Sequence, residues 1–130
     1  MWPFRRRTSP KLEVVRVGEP SSDLADYPIL TVGQSRLEGS FVTLEFTAKS
    51  APRFTWSTLT PVVDPRMKTI ADITISVDSQ VVGYLRPPAL DQAIDLLERL
   101  RAATLEVPAG LVWGPTGPET YIRLESHRPD

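Results

Sequence analysis

The sequence predicts a mainly β (α+β) domain, a small β-barrel or half-open β roll of about six strands with one amphipathic helix. Three observations carry this. Residues 70–85 read as two strands joined by a two-residue turn, Asp78-Ser79. A run with helical spacing of apolar residues follows directly, from Pro88 to about Ala103. Across the whole chain, 13 prolines and seven glycines mark off short segments, the pattern of many short strands and turns.

In chain order, residues 1–11 read as a flexible basic tail, since Pro3, Pro10 and Arg5-Arg6-Arg7 offer nothing to bury. Leu12–Val17 is a strand and 18–27 a polar connection, so 12–27 is expected as an appended strand and linker. The barrel domain is expected over 28–125. Ile29–Val32 is strand-like and stops at Gly33. In Phe41–Thr47, Val42, Leu44 and Phe46 alternate with Thr43, Glu45 and Thr47, which predicts a half-buried strand. Residues 48–69 contain Pro52, Pro61 and Pro65 and read as a loop with one short strand near 54–60.

From Ile70 the alternation sharpens, with Ala71, Ile73, Ile75 and Val77 on one face and Asp72, Thr74 and Ser76 on the other. Asp tolerates left-handed φ, so Asp78-Ser79 suits a tight turn, and Gln80–Leu85 returns as the second arm. Arg86 and Pro87 each precede a proline, a position pushed out of the α region, so the helix starts no earlier than Pro88. Leu90, Ala93, Ile94, Leu97, Leu100 and Arg101 form its stripe. Asp91 and Asp95 lie toward the positive end of its dipole, Arg99 and Arg101 toward the negative end, and Asp95–Arg99 is a favourable i,i+4 pair. Ala109–Trp113 and Glu119–Glu125 read as strands joined by the Gly114–Pro118 turn, and 126–130 as a tail. The whole is an SH3/OB-like β-barrel with its helix over about residues 88–103.

Composition narrows the function. The chain has 130 residues, 41% hydrophobic and 24% charged, with a net charge of −1, which argues against a whole-surface attraction to nucleic acid but leaves room for a local basic patch. It has no cysteine, which excludes disulfides and thiolate chemistry and suits a reducing, cytoplasmic location. Its single histidine, His127, stands near the end of the sequence, against a His-based metal cage or catalytic dyad. No apolar run approaches the about 20 residues of a membrane span, and the Met1–Arg7 segment has no apolar core of a secretory signal. Ser35, Ser57 and Thr58 have no histidine partner, and Asp64, Asp72 and Asp78 read as solvated acids and a turn former. No enzyme, metal or cofactor is expected. For binding, Arg36, Arg53, Arg66 and Lys68 flank the loops of the expected sheet, with Phe54, Trp56 and Tyr84 interleaved. Small barrels hold single strands with such a basic groove and stacking aromatics.

Three segments give the chain a family resemblance. Thr31-Val-Gly33, with Gly39 following, is similar to an opening "VVG…G". Val82-Gly-Tyr-Leu85, between a hairpin and a helix, is similar to a "vVGyL" hallmark. Leu105–Glu106, Trp113–Gly114 and Tyr121–Leu124 match closing strands. In this order, over about 28–125, they resemble the HIRAN domain, a small barrel appended to helicase-like remodelling proteins and also found as a stand-alone bacterial module. The resemblance implies recognition of DNA, in particular single-stranded 3′ ends, through an opening loop and an Asn-Pro-Tyr-Asp-like segment. Here the loop's aromatic position falls on Arg36 or Leu37, and only Asp64-Pro65 of the second segment is kept, followed by Arg66-Met67. What carries over is the fold and a groove between the 34–39 and 64–69 loops, where Arg36, Arg66 and Lys68 would hold a phosphate backbone. The expected function is therefore non-enzymatic binding of single-stranded DNA through Arg36, Arg53, Arg66, Lys68 and Tyr84. The alternative is a protein-interaction or scaffold module that has lost DNA-end recognition, with an apolar patch around Trp56 or Trp113. A weaker third reading places Met1–Arg7 on a membrane surface.

Overall fold

The computed structural model describes residues 12–33 and 36–124. The expected tails, His127 and residues 34–35 of the opening loop lie outside the described residues. Seven strands form one sheet: β1 (Leu12–Arg16), β2 (Ile29–Leu30), β3 (Arg53–Asp64), β4 (Thr69–Val77), β5 (Gln80–Tyr84), β6 (Ala102–Gly114) and β7 (Gly117–Ile122). Two α-helices, α1 (Glu38–Thr43) and α2 (Ala89–Leu100), complete the fold with a 3-10 turn at Leu24–Asp26. The strand order is β2-β7-β6-β3-β4-β5, and β1 adds in parallel to β6, the other pairings being antiparallel. The mainly β class is as expected. The sheet is not closed into a continuous barrel. Its two end strands touch at one isolated bridge, Val32 to Tyr84.

The hairpin at the centre forms as read. Asp78 and Ser79 have φ of 49° and 69°, both left-handed, as a two-residue turn matching strand twist requires. Ile73, Ile75 and Val77 are buried, while Asp72, Thr74 and Ser76 remain half-buried on the other face and Ala71 is exposed. Helix α2 begins one residue after Pro88, and Asp95 pairs with Arg99 at 2.9 Å. It ends at Leu100, short of the expected Ala103. Arg101 leaves the expected stripe to take a left-handed cap (φ 53°), and Leu96 joins the buried face beside Ala93 and Leu97.

The expected strand over Phe41–Thr47 is a correction. Residues 38–43 are helical, and Val42, assigned to the inner face, is 73% exposed while Phe41, Leu44 and Phe46 are buried. The helix closes with Glu45 left-handed (φ 58°), its N–H donating to the Val42 carbonyl and the Phe46 N–H to the Phe41 carbonyl. These are the paired bonds of a Schellman ending, and the Phe41 and Phe46 rings meet at 6.4 Å as its apolar contact. Both a period of two and a three-residue step bring Leu44 inward, so a segment this short fits either pattern.

Two prolines hid the length of the strands. The loop-like 48–69 segment holds twelve-residue β3, which runs through Pro61, and β6 starts at Ala102 and runs through Pro108. Strand β6 shares one edge between two partners: β1 ends against Glu106 and β7 begins against Ala109. The Glu106 and Pro108 carbonyls accept from Val17 and Arg123 on that edge, so the missing Pro108 donor falls in the gap between the two ladders. For β3, the Ile73 carbonyl accepts from Leu85 of the β5 side, which turns the paired Pro61 away from β4. The β3–β6 ladder has already ended at Leu59–Leu105.

The core lies between the inner sheet face and α2. Leu59, Ile73, Ile75, Val82, Leu105, Val107 and Leu111 are fully buried, each contributing about 1.5–3 kcal/mol by leaving water. A second small cluster fixes the 18–27 connection. Tyr27 stacks on Phe54 at 5.5 Å. Its hydroxyl donates to the Ser21 carbonyl (2.6 Å) and accepts from the Ser21 N–H (2.7 Å).

Candidate nucleic-acid interface

The Val32–Tyr84 bridge organises the most promising surface. Its two backbone bonds, Val32 N–H to Tyr84 C=O and the reverse, measure 3.0 and 2.9 Å. Tyr84 is paired with Thr74, opposite in sense to buried Ile73 and Ile75, so its ring stands on the outer sheet face. Gly33 makes room for it: φ is +91°, and a Cβ there would lie 2.9 Å from Tyr84 Cδ1. The chain then turns, Arg36 N–H donating to the Gly33 carbonyl, and the Arg36 side chain is exposed. On the other side Leu85 turns inward and Arg86 outward into solvent. A half-buried aromatic ring thus lies on the seam, with exposed Arg36 and Arg86 close to it along the chain. Arg86 was missed in the sequence, although the alternation around Leu85 puts it on the face of Tyr84.

The other candidate residues are placed elsewhere. Arg53 opens β3 with Nη2 donating to the Leu44 carbonyl (3.1 Å) and its guanidinium 5.5 Å from the Phe46 ring centroid. It is tied to the α1 ending. Arg66 and Lys68, both exposed, sit in the β3–β4 turn at the opposite end of the twelve-residue strand. The described residues of the two loops expected to share a groove line different pockets. Gly33 and Glu38 face Thr116 and Glu119 across a pocket of about 250 Å³. Lys68 lines a cleft of about 450 Å³ with Ile94 and Glu98 of α2. Of the aromatics, Phe54 packs on Tyr27, and Trp56 is covered by Arg16, 4.2 Å from its ring centroid and paired with Glu106 at 2.8 Å.

The acids have local backbone roles. Asp64 Oδ1 accepts from the Arg66 N–H (2.8 Å), Asp72 Oδ1 accepts from the Ile73 N–H (2.8 Å), and Asp78 forms the turn. Ser57 is buried and donates to the Val107 carbonyl (3.0 Å). Among the described residues no group of three or more His, Cys, Asp or Glu could hold a metal ion, and no helix is long and apolar enough to cross a membrane. Tyr121 donates to Glu119 Oε1 at 2.9 Å, and this bond, then burial and the carboxylate charge, raises its pKa above the ordinary 10.0. No protein-family model, curated protein or solved structure matches the chain.

Proposed function

We propose that this chain is a non-enzymatic nucleic-acid-binding module that holds single-stranded DNA at the β2–β5 seam. The observation that carries the reading is the half-buried Tyr84 ring against Gly33 at the Val32–Tyr84 bridge, with exposed Arg36 and Arg86 close to it along the chain. An aromatic face stacks a base of any identity, and flanking guanidiniums hold the adjoining phosphates. In this reading the Val32–Tyr84 bridge is the closing seam of a small SH3/OB-like barrel of HIRAN type, as in a stand-alone bacterial module working in the cytoplasm. Arg53, Arg66 and Lys68 are then peripheral to the bound strand.

Fluorescence anisotropy with a labelled oligonucleotide tests it. Affinity should fall steeply with salt, since counterions are released on binding. Tyr84→Ala should cost about 1–3 kcal/mol, and Arg36→Ala or Arg86→Ala should each lower the salt slope by about 1. Absence of binding at low salt sinks the proposal. The second reading, a protein-interaction or scaffold module, draws on Trp113, which is 39% exposed on β6 beside Phe46. It predicts salt-insensitive self-association or partner binding that Trp113→Ser abolishes, read by light scattering.

A further inference from the structure

We infer that the β3–β4 hairpin tip is a peripheral contact for an anionic lipid surface, a role distinct from the seam. The tip carries three exposed apolar side chains, Val62 (45%), Val63 (53%) and Met67 (68%). Arg66 and Lys68 are exposed on either side of Met67. None of these side chains is needed to make the turn. Asp64 does that: Oδ1 accepts from the Arg66 N–H (2.8 Å) and Met67 N–H (3.3 Å), and its carbonyl accepts from the Lys68 N–H (2.7 Å). The same bonds engage the turn's own carboxylate with backbone donors.

The chemistry of the tip selects its partner. Apolar groups enter the boundary between headgroups and acyl chains while neighbouring cations pair with anionic headgroups. Arg66 and Lys68 supply the charge complement, and Val63 and Met67 the insertion. Strand addition is disfavoured at this edge because Pro61, turned away from β4, offers no N–H to an incoming strand. Phosphate contact with nucleic acid would use the two cations and leave the apolar side chains idle.

Co-sedimentation of the full chain with phosphatidylcholine vesicles, with and without phosphatidylserine, tests this. Binding is expected only with the anionic lipid, weakening roughly fivefold for each of Arg66→Ala and Lys68→Ala. Met67→Asp should abolish it, and Met67→Ser should weaken it without adding charge. Thermal melts establish that these exposed-site variants fold. Tyr84→Ala should retain vesicle binding, which separates this contact from the seam. No binding to anionic vesicles at low salt overturns the inference. So does binding unchanged in the hairpin variants, or loss of single-stranded DNA binding but not of vesicle binding in the Arg66→Ala/Lys68→Ala double variant.

Discussion

Gly33 and Tyr84 depend on each other through one contact. A methyl at Gly33 would meet the Tyr84 ring at 2.9 Å on a backbone with φ +91°. Gly33→Ala should therefore destabilise by about 2 kcal/mol or more, from left-handed strain plus ring displacement. Chemical denaturation checks it, and an unchanged midpoint would refute the role assigned to this glycine. Tyr121 gives a pH signature. Its folded pKa lies above the ordinary 10.0, so its contribution is present below that value and is lost as pH rises through the raised one. Wild type should lose stability in alkali more steeply than Tyr121→Phe in parallel melts. At this scale the sequence was partly legible. Tyr84 and Arg36 lie at a strand end and just past a glycine turn, which are local features that a sequence shows. Arg53 could not be separated from them, because its partner is a backbone carbonyl nine residues away. That Glu38 and Lys68 line different pockets was equally hidden, since it follows from strand pairing rather than spacing.

Elements were legible where local preference and tertiary environment agree. The β4–β5 hairpin and α2 combine turn residues, strict periodicity and a proline-set start, and each formed close to its expected bounds. Helix α1 was missed because six residues are too few to distinguish periods, and Glu45 ends it where a glycine would have announced the cap. Strands β3 and β6 run further than their prolines suggest, because proline is penalised only where its N–H is wanted, and Pro61 and Pro108 each fall where a ladder has lapsed. The same logic yields a prediction at the central turn. Ser79 holds φ 69° at a cost of roughly 1–2 kcal/mol for a side chain. Ser79→Gly removes that cost and returns about 0.5–1 kcal/mol to the entropy of the unfolded chain. A net gain of about 0.5 kcal/mol should appear in denaturant melts, and a loss would mean that Ser79 makes a compensating contact.

At the scale of the molecule, the sheet is asymmetric in how firmly its ends are held. Strands β3, β4 and β6 are paired along most of their length and carry most of the fully buried side chains, whereas β2 holds two residues against β7 and, among the described residues, its continuation bridges to β5 at Val32. Local opening should follow that gradient, with few apolar contacts and short ladders at the seam. Amide exchange is expected to be slowest in β3 and β6 and fastest among the strands in β2. Val32→Pro removes the donor of one of the two bridge bonds while leaving every core side chain in place. It should speed exchange at Tyr84 and in β2, with protection in β3 and β6 retained, and it should weaken any ligand held at the seam. Uniform acceleration across all strands would show instead that the bridge is part of one cooperative unit and that the sheet behaves as a closed barrel. Unchanged exchange at Tyr84 would show that the seam is held by the packing of Gly33 against the ring rather than by its backbone bonds.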